Sequence, residues 1–551
     1  MKHDNQRWWG WGTLDQTYDL RERTGFWPFL HEELGLTGEE SGPQADLERI
    51  TLPASRLSPD DLQALTAIVV AEHLSAEHAA RVTHAVGKSY PDLIRLRLGQ
   101  LEHAPDVVVW PGSEEDIAAL LPLAVRRNWS VVPFGGGSSV TGGLAALGER
   151  PTVSLDLARL NQVLAVDPVS HTATAQAGIF GPALEEALNA EGFTLGHFPQ
   201  SFEFSSLGGW IATRAAGQQS IRYGKIEEMV EWLRMVTPQG VIETRHVPAS
   251  AAGPSIKEVL VGSEGAFGVI TQATMRLRPL PALRDYRGLL FRSYGDGVAA
   301  IRTMMQSERP PAMARLSDVT ETRAYQALSI SSHSRTARLT RAIGTRLMKR
   351  RGFGLRGACL MILGCEGAEQ SAPENMDAAL TACAAQGAFH LGRSPGEAWY
   401  AERFALPYLR DILLDRGVLV DTLETATTWD NLLPLYGAVG QAIAEAIEAE
   451  GVPPLVMCHV SHAYSDGASL YYTFLARQVT GREIAQWELI KRRVTEAIMQ
   501  QGGTLSHHHG VGHDHRPWLE QEHGPLGVAA LRALKRTFDP HGVMNPGKLV
   551  E

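Results

Sequence analysis

Five of the chain's 20 histidines fall within ten residues, in the run SHHHGVGHDH from Ser506 to His515. Imidazole exchanges protons near neutral pH and is also a common metal ligand. Three readings therefore compete: acid/base work by His507, His508 and His509, an ion held by a set such as His508, His513 and His515, or a solvated polar loop. No cysteine or clear glutamate pattern accompanies the cluster, which weighs against a metal. A second run, PFGGGSSVTGG from Pro133 to Gly143, places five glycines in eleven residues after a β-rich stretch. Glycine permits positive φ and lets main-chain N–H groups approach an anion closely. Ser138, Ser139 and Thr141 add hydroxyl donors, so a diphosphate suits the loop. It matches neither the P-loop nor the GxGxxG pattern, and on its own a flexible surface turn explains it equally well. Two more glycine- and small-residue-rich stretches, PQSFEFSSLGGWIATRAAG (199–217) and GSEGAFGVIT (262–271), shift the balance toward close approach to a large planar ligand.

The elements that must carry these loops follow from periodicity. Between about 101 and 280, short β-rich runs (DVVVW, SVVPF, PTVSLDL, TATAQAG) alternate with turns and the helix-like FGPALEEALNAEG. That alternation predicts an α+β or α/β domain. RLRPLP (276–281) marks a boundary, after which long helical stretches mix with strands such as LYYTFLA. At 551 residues the chain exceeds what one core supports. A net charge of -10 argues against a general nucleic-acid binder. Cys359, Cys365, Cys383 and Cys458 form no CxxC pair and read as buried small hydrophobes in a reducing compartment. With no secretory signal and no apolar run of transmembrane length, the expectation is a cytoplasmic protein.

The glycine loop, the run TATAQAGIFGPALEEALNAEGFTLGHFPQS and the terminal NPGKL resemble the vanillyl-alcohol-oxidase-type flavoproteins. Within that superfamily the chain is similar to the alkyldihydroxyacetonephosphate synthases. The motifs behind this narrower match are FEFSSLGGWIATRAAG, YGKIEEMV, VTPQG, PAMARLSD, LPYLRD, LETATTWD, GASLYY and SHHHGVG, with WWGWG near the N-terminus.

The resemblance implies an α+β fold: a PCMH-type two-subdomain FAD-binding domain over 101–281 and an α/β cap domain over 282–505. Residues 1–100 form a helical extension, and 506–551 return to the flavin site. FAD is expected to be bound non-covalently. The family's diphosphate loop falls on Pro133, Phe134, Gly135, Gly136, Gly137, Ser138 and Ser139. Further flavin contacts fall on Gln200, Ser201, Phe202, Glu203, Phe204, Ser205 and Ser206, on Thr213, Arg214, Ala215 and Ala216, and on Glu264, Gly265, Ala266, Phe267, Gly268, Val269 and Ile270. Tyr471 matches the family's catalytic tyrosine, although LYYTF alone reads as an ordinary core strand. His507, His508 and His509 match its triple histidine, with one of them as the base. Arg410 matches a phosphate-binding arginine, Arg315 a positioning or flavin-side arginine, and His197 a further functional histidine.

The implied reaction exchanges the acyl chain of acyl-dihydroxyacetone phosphate for a fatty alcohol, through a flavin N5 adduct and without net redox. The alternative is a true flavin oxidoreductase acting on a 2-hydroxy acid such as D-lactate, or on an alcohol. One departure stands out: His513, followed by Asp514 and His515, occupies the place of a lysine in the animal synthases. Partners implied are the lipid substrates and, by the habit of the superfamily, a second copy in a homodimer. From Thr322 to Cys365 there is no acidic residue against nine Lys or Arg. Leu339, Ile343 and Leu347 give that stretch an apolar stripe among Arg338, Arg341, Arg346, Lys349, Arg350 and Arg351. Two readings stand for it, a contact with a membrane surface or a helix packed on the cap with a solvated basic face.

Overall fold

A computed structural model describes residues 5–16, 18–329, 353–354 and 357–550; the basic stretch 334–352 lies outside the described residues. Two cores organise the chain. The first surrounds two sheets. One has four strands in the order Leu74–Ser75, Val107–Val109, Thr152–Asp156, Ser130–Phe134, the last three parallel. Val107–Val109 and Thr152–Asp156 are buried throughout, as a parallel sheet covered on both faces requires. The helix Glu114–Arg127 starts at a reciprocal Ser113/Asp116 capping box and stops at Asn128, whose φ of 55° is left-handed. The glycine loop begins where the parallel strand Ser130–Phe134 ends, the end of such strands at which ligands gather. The returning C-terminus runs along that strand, with Val131 N–H donating to Val543 O and Asn545 N–H to Val131 O. The other sheet is antiparallel, in the order Val163–Asp167, Thr172–Gln176, Val269–Arg276, Val230–Thr237, Gly240–Glu243.

The second core is built on a seven-stranded antiparallel sheet ordered Phe389–Gly392, Leu283–Phe291, Cys359–Gly367, Met313–Ser317, Leu455–Ala463, Gly467–Arg477, Val418–Thr428. Helices Leu432–Glu448 and Glu483–Gln500 supply Leu435, Val439, Trp487 and Ile490 to it, against Tyr472 and Phe474 of the sheet. The N-terminal residues serve both cores: Leu57, Leu65 and Val69 join the first, Leu30, Leu34, Tyr90 and Leu93 the second. All four cysteines are buried and unbridged.

Register decides which side chains share a face. Glu424 lies opposite Tyr471, and Tyr471 opposite His459, so the three form one cross-strand row. Tyr472, one residue on, points into the helix-covered core, where its hydroxyl donates to Tyr436 O at 3.0 Å. Between Val460 and Ala463 the strand gains a residue over its partner, a bulge of the kind that re-aims a side chain. His462 sits at that bulge, its N–H donating to Ser469 Oγ at 3.1 Å.

Candidate active site

The histidine run crosses above this row as a loop held by main-chain amides. Glu424, 3 % exposed, accepts from the Ser506 hydroxyl at 2.7 Å and from the N–H groups of His507, His508 and His509 at 2.6, 3.1 and 2.9 Å. Burial opposes its charge. Positive charge on the imidazoles of His508, His509 and His507, whenever one of them holds a second proton, and the bond from Ser506 outweigh that, holding the carboxyl well below its usual range. On the other side Glu264 accepts from Val511 and Gly512 N–H at 2.6 and 2.7 Å, and burial raises its carboxyl to about 7. One carboxylate from each core therefore clamps the loop.

The three imidazoles differ in what they have left to offer. His507 is engaged at both nitrogens, Nε2 with the Tyr464 hydroxyl at 2.6 Å and Nδ1 with His508 Nδ1 at 2.9 Å. Lys225 fixes its carbonyl at 2.7 Å. Among the described residues His508 Nε2 and both ring nitrogens of His509 carry no hydrogen bond. Burial pushes all three below the usual imidazole range, His507 to about 3, so each is a neutral base at physiological pH. Tyr471 stacks on His459 at 4.9 Å and on His508 at 5.9 Å, and burial pushes its hydroxyl up to about 12.

The two arginines are placed differently. Arg315 donates to Glu321 and His459 at 3.0 Å and to Ser317 at 3.3 Å, which fills its fork beside Tyr471. Arg410 donates Nη1 to Lys88 O at 2.8 Å, while its buried Nε has no partner among the described residues. His197 is fully buried against Trp210, neither ring nitrogen has a hydrogen-bond partner among the described residues, and burial takes it down to about 3.

Of the histidines further along the run, His513 is more than half exposed beside Asp514, and His515 bonds Gly510 O at 2.9 Å. Neither joins His508. Among the described residues the set with ring nitrogens within 4.8 Å of one another is His462, His507 and His508. In it His462 Nδ1 pairs with Ser220 Oγ at 2.7 Å, and the two Nδ1 atoms of His507 and His508 are joined to each other.

The glycine loop fits the diphosphate of FAD. Among the described residues the main-chain N–H groups of residues 135–140 donate no hydrogen bond, although Gly137 is buried and its neighbours are only partly exposed. A row of idle amides is an anion site. A methyl at Gly135 would overlap Ser206 Oγ, and one at Gly136 the Phe204 carbonyl oxygen, so the loop lies flush on 204–206. In the other expected contact segments several side chains turn into the protein. Gln200 donates to Arg403 O, Phe202 stacks with Trp210 and Phe404, and Phe204 packs on Trp11. Arg214 reaches Glu227 and Glu258, and Phe267 meets Phe538. What these segments present is chiefly main chain and small residues.

Sequence reasoning missed Glu424, His459, His462, Tyr464 and Lys225. The one available signal was polar residues inside apolar strand runs, as in LVMCHVSHA and VLVDTLETATT.

Two family models match: an FAD binding domain over residues 105–245 and the C-terminal domain of FAD linked oxidases over 280–549. The chain is 38 % identical to an alkyldihydroxyacetonephosphate synthase of Dictyostelium discoideum, over 95 % of this chain and 87 % of that one. It is 34 % identical to that of Trypanosoma brucei brucei, over 94 % and 83 %. A solved structure of alkyldihydroxyacetonephosphate synthase superposes with a TM-score of 0.84 at 34 % identity, covering 99 % of each chain. The fold is thus α+β, an FAD-binding domain with a cap of the FAD-linked oxidase type, and FAD is the cofactor.

Proposed function

The chain belongs to the alkyldihydroxyacetonephosphate synthase family, and on that premise we propose that it exchanges the acyl chain of acyl-dihydroxyacetone phosphate for a fatty alcohol, forming an ether bond without net redox. The observation that carries the reading is the cross-strand row of half-buried Tyr471 with buried Glu424 and the neutral imidazoles above it. This is proton-transfer machinery with two half-buried arginines, Arg315 and Arg410, close by.

FAD, when bound, supplies the electron-accepting ring that activates the reacting carbon and is oxidised at the start and at the end. His508 takes the proton next to the ketone, because its Nε2 is the free end of an imidazole already oriented through Nδ1. The ester C–O bond then breaks with the fatty acid carboxylate as leaving group. The alcohol oxygen forms the new C–O bond at the same carbon, His508 returns a proton to that carbon, and Tyr471 receives the alcohol proton and passes it to the departing carboxylate. Arg410 binds the phosphate through the edge that the protein leaves free. Arg315, with its fork already filled, positions His459 and Tyr471. His513, more than half exposed, adds little to phosphate binding, so Arg410 is the principal anchor.

The test is anaerobic. Palmitoyl-dihydroxyacetone phosphate should change the flavin absorbance and release fatty acid, and fatty alcohol should restore the oxidised spectrum. Persistent bleaching by D-lactate or another hydroxy acid, with no response to the acyl ketone phosphate, would overturn the reading.

A further inference from the structure

A base enclosed by protein has to return its proton to water before it can act again. Resting on the assignment of His508 as that base, the path can be followed outward atom by atom. His508 Nδ1 lies 2.9 Å from His507 Nδ1, and His507 Nε2 lies 2.6 Å from the Tyr464 hydroxyl. Tyr464 in turn lines a cavity of about 360 Å³, together with Ser220, Tyr223, Arg276 and the exposed Ser465 and Asp466. Both links from the cavity-lining Tyr464 to the base are thus within hydrogen-bond distance. The alignment is fixed from outside the chain of links: Lys225 holds the His507 carbonyl, and Glu424 holds the amides of His507 and His508. His507 is therefore the one member of the triple histidine with no nitrogen to spare for substrate, and it is joined at both ends to groups that can pass a proton.

We infer that Tyr464, His507 and His508 form a proton relay between solvent and the reacting carbon. In the ready state His508 carries its proton on Nδ1 and donates to His507 Nδ1, His507 Nε2–H donates to Tyr464 O, and Tyr464 O–H faces the cavity. When His508 Nε2 takes the substrate proton, Nδ1–H passes to His507, His507 Nε2–H passes to Tyr464, and the Tyr464 proton passes to water. One proton enters at the site and one leaves at the cavity. Each side chain ends neutral, with both imidazoles in the opposite tautomer. The reverse sequence restores the ready state. Tyr464 touches no substrate; it acts through His507 and is a positioning and conducting residue.

The experiment compares wild-type holoprotein with Tyr464→Phe, both labelled with ¹⁵N-histidine, and measures the solvent exchange rate of the His508 ring N–H. The relay requires exchange slower by about a hundredfold or more in the variant, the low end of what a positioned proton donor contributes. Equal rates overturn it. In turnover, kcat should fall while KM and the first-turnover rate hold; loss of the first turnover to the same extent would make Tyr464 merely structural and overturn the relay. If Tyr464→Phe fails to hold FAD, a fluorinated tyrosine at 464 keeps ring and hydroxyl, and an exchange rate insensitive to its greater acidity also overturns the relay. The exchange measurement needs no substrate, so it still judges the relay if wild-type protein releases no fatty acid and the functional reading falls.

Discussion

Tyr471 and Tyr472 are neighbours in the chain and opposites in the fold. Tyr471 faces His459, His508 and Glu424, while Tyr472 is sealed among the helices with its hydroxyl on Tyr436 O. Tyr471→Phe should lower kcat by about 10²–10⁴-fold with the flavin spectrum intact, and loss of FAD would make Tyr471 structural instead. Tyr472→Phe should leave kcat unchanged and cost about 1 kcal/mol of stability for a buried hydrogen bond. From LYYTF alone neither tyrosine could be preferred, because strand alternation says that they diverge but not which way the site lies. His197 permits a test of pH. Its folded value of about 3 lies below the usual 6.5, so the native state stays neutral while the unfolded chain takes up a proton. Its contribution to stability is complete above about pH 6.5 and is lost as pH falls toward 3, at up to about 1.4 kcal/mol per pH unit. His197→Leu should flatten the acid limb of a stability-versus-pH curve by that slope, and an unchanged slope would mean that the imidazole titrates freely.

At the level of elements, the glycine loop was the most legible part of the site. Its glycines answer to a local demand, main chain against main chain, and a run of residue types records such a demand directly. Gly136→Ala would drive a methyl into the Phe204 carbonyl oxygen. It should cost about 1–3 kcal/mol and weaken FAD binding, measured by thermal unfolding and flavin release; normal loading would show that the loop has slack. The acidic and imidazole partners of the histidine run were illegible for a complementary reason. Glu424, His459 and Tyr471 come from three strands and meet only through register, and His462 reaches the cluster through a one-residue bulge. No periodicity in a single segment encodes an alignment between segments. The strands and helices themselves were largely readable between 101 and 281, where SVVPF, PTVSLDL and TATAQAG each contain a strand.

On the scale of the whole molecule, the N-terminal residues contribute to both cores, and WWGWG is tied to the cap. Trp11 N–H donates to Asp411 at 2.7 Å and Arg97 donates to Trp9 O at 2.6 Å. No helix among the described residues is long and apolar enough to cross a membrane. Lipid substrates must still reach the pocket, and the basic run around Arg338, Arg341 and Arg346 is the sequence's candidate for surface contact. Replacing these three with glutamine should weaken sedimentation with anionic vesicles, by up to about 1 kcal/mol per charge, and unchanged binding would sink the idea.

The clamp on the histidine loop has a consequence for how such a site can change over generations. Glu424 and Glu264 grip the loop mainly through peptide N–H groups, which every residue except proline supplies. The backbone grip itself therefore does not depend on which side chains stand at 507, 508 and 509. A lineage, or a designer, can exchange those imidazoles one at a time and alter the chemistry offered to the ligand while the backbone stays in register. One frame thereby becomes open to several reactions.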